Sequence, residues 1–426
     1  MSKYKPNRKL IIVVVMLVGL FISWKFSQEI ISFTKNNISK NNYFRLKGSV
    51  AEDYIQKEFF KIDSLKSNAL GIDTMRVSID QEALLSIEKA RKELCKSYMK
   101  TGSHSIKKHP YYNSFTEYKN YKSASKIKLF GMNPDHWIAK NKTSFRFKFN
   151  GKRFFAKKKM NLLSPKTRWF QIDYVVNHVY QHKFKGIGHT YTPVVLCINN
   201  KSMGVYLMED FFDKYLIAKN KKKDSFIFES AYNGIFHASS VFSQLNSDDQ
   251  FFKINTIPKG KKWENLSKRT VDLFHNNNPN ELFNTIDAEK LNAIIGLCFL
   301  TQTNHPLLDM NLHWYYNPVN NKLEPLIREV LPLKMEEEIE IDQIWREFYA
   351  EINQSPALKL IKDWIIFQGE DNAKQRITQS SLKSALYIKE DTKTNEYKHF
   401  ISKLNNEFSY NTCKQEVILQ HNIAQL

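Results

Sequence analysis

The alternation of apolar and polar positions divides this chain into a strand-rich middle and helix-rich flanks. From residue 125 the period is two: "SKIKLFG", "TSFRFKFNG" and "RFFAKKKMNL" each alternate, and glycine punctuates the first two. A helix is predicted next, in "TRWFQIDYVVNHVYQHKFKG", with Ile172, Val175, Val176 and Val179 on one face and Gly186 as its stop. "TPVVLCINNKSMGVYLMEDF" predicts a hairpin turned by Asn199 to Ser202, and from Asp213 the pattern reads as a helix, a basic loop and a short strand. A longer helix over 287–303, with Asp287 as N-cap, leads into a second hairpin, "LHWYYNPVNNKLEPLI". Upstream, "DTMRVSIDQEALLSIEKARKELCKSYMKTG" predicts a strand and an amphipathic helix with Asp80 as N-cap and Gly102 as stop. The basic, tyrosine-rich "SHSIKKHPYYNSFTEYKNYK" reads as a loop, and the pattern after Pro332 is mainly helical.

The chain's start changes the picture. "MSKYKPNRK" carries four positive charges, the 15-residue run "LIIVVVMLVGLFISW" carries none, and Lys25 closes it. A helix of that length spans about 22 Å, which snorkelling by Arg8, Lys9 and Lys25 and an interfacial Trp24 can extend toward a bilayer core. A cleaved signal peptide is the alternative, but "SWKFSQE" lacks a small-x-small cleavage site. An uncleaved anchor is therefore expected over 1–24, with a Lys-, Asn- and Ser-rich tether over 25–50. The expected placement is single-pass in the inner membrane with the body on the extracytoplasmic, periplasmic side.

Net charge is +21. A basic surface suits anionic lipids, acidic glycans or phosphorylated substrates, and it equally suits no specific partner. Nucleic acid is not expected, because no binding motif accompanies the charge and the anchor places the body outside. The 13 glycines include neither a G-x-G-x-x-G nor a P-loop pattern, which argues against standard nucleotide folds. Four scattered cysteines without C-x-x-C support neither zinc nor a defined disulfide. His178 and His182 have metal-ligand spacing on one helical face, but no glutamate follows the first as in H-E-x-x-H.

Candidate chemistry gathers at the open end of the second hairpin. With Tyr316 facing Leu323, continued pairing sets Asn311 opposite Arg328 and Met310 opposite Glu329, bringing Asp309, Asn311 and Glu329 together. Two carboxylates and an amide can hold a hard cation. The same residues can also be a solvated hairpin base with Arg328 as counter-ion.

An ordered series of motifs over residues 125–330 resembles the CotH kinase-like family, the spore-coat protein H type, in its membrane-anchored bacterial branch. "KIKLFGMNPDHW" resembles the family's His-Trp strand, and "SFRFKF" its Arg-containing strand. "KKKMNLLSPKTRWF" resembles its basic segment, "INNKSMGVYLMEDFFDKYLI" its hairpin ending in glutamate, and "NHPLLDMNLHWYYNPVNNKLEPLIRE" its metal-binding end. Two positions depart: Asn200 replaces a turn glycine, and Glu329 replaces the usual aspartate. The resemblance implies an α+β, atypical protein-kinase-like fold, an antiparallel sheet with flanking helices, over 125–330. An α/β region over 51–124 would precede it and a helical region over 331–426 would follow.

The implied activity is phosphoryl transfer from ATP, with Mg²⁺ or Mn²⁺, to an envelope protein or glycan. Lys159 would grip phosphate and pair with Glu209 across the sheet, with Arg146 adding charge. Asn311 and Glu329 would hold the metal, and Asp309 would be general base or a third ligand. His305 and Asp213 are further candidates, His305 for ordering its loop. A non-catalytic envelope-binding or scaffold relative is the alternative, as are ordinary roles for Lys159 (a solvated lysine run), Arg146 (an outward strand arginine) and the Glu209–Asp210 pair (a helix cap).

Overall fold

The computed structural model describes residues 72–101, 109–131, 134–139, 142–149, 154, 158–168, 172–230, 252–256, 258–275, 278–309, 311–330 and 341–391. The expected anchor at 1–24, the tether at 25–50 and Gly102 lie outside them. Among the described residues no helix is long and apolar enough to cross a membrane.

The chain runs β1 (Thr74–Ile79), α1 (Gln81–Thr101), β2 (Tyr112–Tyr118), β3 (Tyr121–Leu129), β4 (Phe145–Phe149), β5 (Lys159–Leu163), α2 (Ile172–Lys183), β6 (Ile187–Gly188), β7 (Tyr191–Ile198) and β8 (Lys201–Asp210). Then come α3 (Lys214–Lys219), β9 (Ile227–Ser230), β10 (Phe252–Thr256), α4 (Lys261–His275), α5 (Pro279–Thr285), α6 (Ala288–Leu300), β11 (His313–Asn317) and β12 (Lys322–Ile327). Three helices follow: α7 (Ile341–Gln354), α8 (Lys359–Gln368) and α9 (Glu370–Asp391).

Strands β1-β2-β3-β4-β5-β8-β7 form a closed barrel. The kinase-like fold expected from the resemblance is thereby overturned. In place of an open antiparallel sheet flanked by helices, parallel pairing of Thr74–Val77 with Val195–Ile198 joins the first strand to the seventh and removes both sheet edges. Asn199 fixes that seam. At φ +46 it helps turn the β7–β8 hairpin, while its amide accepts from the Ile79 N–H at 2.9 Å and donates to the Ile79 carbonyl at 2.8 Å. The period-two pattern then sorts the residues of the wall. Phe145, Phe147, Phe149, Met160, Leu162, Tyr206 and Met208 fill the interior, so the alternate positions face outward.

Residues 112–118 form β2 and Tyr121 opens β3, where a loop was expected. Their binary pattern is inverted: Phe115 is 42 % exposed, whereas Thr116 and Ser125 are buried and share a hydrogen bond at 2.7 Å. Satisfied hydroxyls occupy inward positions there, so hydropathy carries no strand signal.

A five-stranded sheet, in the order β10-β9-β11-β12-β6, packs with the helices around a larger apolar core. Several expected local signals are present. Asp80 Oδ1 accepts from the Glu82 N–H at 2.8 Å, Asp287 Oδ1 from the Lys290 N–H at 3.1 Å, and Tyr316 pairs with Leu323. The end of α2 works differently from expectation, because the left-handed residue is Lys185, at φ +55. Gly186 instead makes room for Tyr180: a Cβ there would lie 2.2 Å from the ring, whose hydroxyl donates to the Pro325 carbonyl at 2.6 Å. Gly186→Ala is expected to destabilise the fold by about 1–3 kcal/mol, the usual cost of overpacking. Urea unfolding measures it, and an unchanged midpoint would mean that the ring yields.

Candidate functional site

The barrel's outer wall carries a polar row built by cross-strand register. Lys128 on β3 pairs with Arg146 on β4, Arg146 with Asn161 on β5, Asn161 with Glu209 on β8, and Glu209 with Tyr191 on β7. Side chains facing one another across neighbouring strands lie about 5 Å apart, so these five form a continuous band. Arg146 Nε donates to Asn161 Oδ1 at 2.8 Å, and Asn161 Nδ2 donates to Glu209 Oε2 at 2.6 Å. The position across the sheet from Glu209 is thus Asn161, where Lys159 was expected.

The other half of the site comes from the segments that cover this wall. Pro165 begins a 3-10 turn directly after β5, and the turn ends in Arg168, whose side chain is 1 % exposed. Its Nε and Nη2 donate to Glu209 Oε1 at 3.0 and 2.9 Å, and its Nη1 to the Thr167 carbonyl at 2.8 Å. Nη2 also lies 3.4 Å from Glu329 Oε1, and Nε lies 3.5 Å from Asp173 Oδ2. Asp173, in the first turn of α2, accepts from the Tyr191 hydroxyl at 2.5 Å and from the Val330 N–H at 3.2 Å, which docks the chain leaving β12 against α2.

Glu329 stands at φ +59, a left-handed conformation uncommon outside glycine and asparagine. The strand pairing of the hairpin ends at His313 with Leu326, and Glu329 leaves the strand direction. Asn311 therefore does not face Arg328 across a ladder; its N–H donates to the Leu308 carbonyl in a turn. Arg328 Nη2 lies 2.7 Å from Glu329 Oε1 and His305 Nε2 lies 3.5 Å from Oε2. Arg328 is thus the counter-ion of Glu329, in a half-buried setting and not a solvated one. Asn311 joins the group indirectly, donating to the His305 carbonyl at 2.8 Å. Asp309 is buried, with its N–H bonded to the Ala357 carbonyl ahead of α8. Met310 lies outside the described residues.

Burial and charge set the protonation of this network. Burial alone would raise the Glu209 carboxyl, but Arg168, His189, Arg328 and the Asn161 hydrogen bond hold it at about 2. Glu329 is held well below the carboxylate range, because Arg328 and Arg168 outweigh the effect of burial. Burial raises Asp173 to about 6 against the pull of Arg168. Two buried histidines sit beside the network. His189 is lowered to about 4, mainly by burial, and His136 is also lowered by burial.

At the outer end of the row, the Arg146 guanidinium lies over the rings of Phe130 and Phe211, at 4.2 and 5.4 Å. Lys159 Nζ lies 4.9 Å from the same Phe211 ring, and Lys128 Nζ lies 4.9 Å from the Tyr111 ring. Arg146 and Lys159 both repel the Lys128 ammonium. Burial first, and then Arg146 and Lys159, lower Lys128; burial, with Arg328 contributing, lowers Arg146 to about 10. Of the remaining candidates, Asp213 caps α3, accepting from the Tyr215 N–H at 2.9 Å, and Asp210 receives Lys219 at 2.9 Å. His178 and His182 pack ring against ring, with centroids 4.2 Å apart.

The expected Mg²⁺ or Mn²⁺ does not fit the Asn311–Glu329 pair in this arrangement. Both carboxylate oxygens of Glu329 already face cationic or imidazole nitrogen. Among the described residues no cluster of three or more His, Cys, Asp or Glu side chains is arranged to hold a metal ion. Arg168, the hub of the network, was missed as a site residue although it stands inside the quoted "SPKTRWF". A single arginine between a proline and an aromatic pair, just before a helix, was the available signal.

No protein-family model matches this chain, and no curated protein matches it either. The likeness to CotH proteins therefore rests on the motifs alone.

Proposed function

We propose that this chain binds a phosphate-bearing ligand, a nucleotide such as ATP, on the barrel wall and transfers its phosphoryl group to a cell-envelope protein or glycan. The observation that carries the proposal is the set of three neighbouring cations, Lys128, Arg146 and Lys159, held against aromatic rings at the outer end of the ion-pair network, with Arg146 and Lys159 both acting on Lys128. Cations gathered at a raised electrostatic cost are relieved by an anion, and the planar fork of arginine matches phosphate oxygens. Phe211 and Phe130 add apolar faces beside the charge. Glu209 acts as a positioning residue, fixing Asn161 and through it Arg146. The apolar run at 10–24 would tether this body on the outer side of the inner membrane, where the substrate lies.

A second reading, binding without transfer, is favoured by one feature. Glu209 and Glu329, the acids expected to serve the chemistry, are each already bound by arginine.

The test uses the full chain with γ-labelled ATP. Arg146→Ala and Lys159→Ala are each expected to weaken ATP binding by about tenfold, the loss of one charge-assisted contact of ~1.4 kcal/mol. Transfer of label to an envelope fraction, lost in both variants, supports the kinase reading. Binding without transfer selects the second reading, and wild type that binds no phosphate compound overturns both.

A further inference from the structure

We infer that this chain takes its phosphate-bearing ligand without a divalent cation, because three carboxylates beside the row converge on the guanidinium of Arg168. The inference deepens the proposal above and rests on it. Asp173, Glu209 and Glu329 come from α2, from β8 and from the exit of β12, yet each has an oxygen within 3.5 Å of Arg168. The side chain is 1 % exposed and its remaining Nη1 is tied to the Thr167 carbonyl, so the cation is built into the fold. Glu329 has a second arginine, Arg328, at 2.7 Å.

The physical consequence is a division of labour between charges. A metal ion in such a site both neutralises its protein acids and bridges to phosphate oxygens. Here Arg168 performs the first task from within, and the second falls to Lys128, Arg146 and Lys159, which reach phosphate directly. A divalent ion competing for Glu209 would have to break two N–H···O contacts at 3.0 and 2.9 Å in a buried setting. Binding ATP as its magnesium complex would also deliver less negative charge to a site built from cations.

Calorimetric titration of the full chain with ATP, in chelator and then in excess magnesium, tests this. Affinity in chelator is expected to equal or exceed that in magnesium. A loss of about tenfold or more on chelation (~1.4 kcal/mol) would overturn the inference while leaving phosphate binding intact. Failure to bind ATP under either condition would overturn the phosphate-binding proposal itself. Glu329→Gln supplies a sign test. Removing a metal ligand weakens magnesium-dependent binding, whereas removing a negative charge and releasing Arg328 tightens it. Tightening by about threefold (~0.6 kcal/mol) is expected, and weakening in magnesium would count against the inference. Should that variant not fold, the chelation result on wild type decides the matter alone.

Discussion

Arg168→Met is expected to destabilise the protein by about 3–5 kcal/mol, the range found when one partner of a buried ion pair is removed. Glu209 and Asp173 would keep their burial and lose their principal counter-charge, while Glu329 would retain Arg328. Glu209 would then be drawn toward protonation at neutral pH, because the arginine that holds its carboxyl down is gone. Arg168→Lys should recover only part of the loss, since one ammonium cannot reproduce the two contacts to Glu209. The double variant Arg168→Met with Glu209→Gln should be less destabilised than the sum of its parts, because the mutations share one interaction. Urea unfolding followed by circular dichroism measures all three. A loss below about 1 kcal/mol for Arg168→Met, the level of an exposed pair, would show that the acids are neutralised from elsewhere.

The second large effect concerns acid. His189 is 2 % exposed, its ring nitrogens have no hydrogen-bond partner among the described residues, and its ring packs edge-on against Phe212 at 4.5 Å. Its folded value of about 4 lies below the ordinary 6.5, so the unfolded chain takes up the proton first and stability is lost as pH falls between those values. Asp173 acts in the opposite sense. At about 6, against an ordinary 3.8, it binds its proton more tightly when folded and adds stability as pH falls through that interval. The two arms offset each other in part, while His136, also lowered by burial, adds to the loss, so wild type should lose stability gently down to pH ~4. Below that, Glu209 and Glu329, both held below the ordinary 4.5, should make it steep. His189→Phe removes one arm, and the variant's stability relative to wild type should then rise by about 2 kcal/mol as pH falls from 6 toward 4. Melting temperatures across that range decide it; parallel curves would mean that His189 titrates alike in both states.

How much could be read from the sequence follows from how local each signal is. The caps at Asp80 and Asp287, the register of Tyr316 with Leu323 and the hairpin turn expected over Asn199 to Ser202, which the structure tightens to Asn199 and Asn200, depend on residues within a few positions of each other, and all were legible. The β1–β7 seam was not, because the Asn199 amide and the Ile79 backbone are 120 residues apart and the same asparagine looks like an ordinary turn residue. Strand β2 was hidden by its buried hydroxyls. At the site, the fold brings Glu209, Arg146 and Glu329, three of the positions singled out in the sequence, into one network. Their partners, Asn161 and Arg168, were not, because an ion pair leaves no periodic trace. The expected cluster at Asp309 and Asn311 assumed that the ladder continues past His313, and the turn that follows the His305 segment ends it.

The contact between Arg168 and Glu329 spans 161 positions of sequence. A chain emerging from the ribosome carries the arginine and then Glu209 long before the last acid exists. The network thus cannot be completed until β12 has been synthesised and docked, and contacts of such separation form late because a large loop must close first. A truncated product ending before residue 329 would keep every strand of the barrel and still present an unfinished site, with Arg168 missing one of its three acids. The ionic hub therefore doubles as a checkpoint on synthesis through β12, so that only a chain that has reached Glu329 carries the finished network.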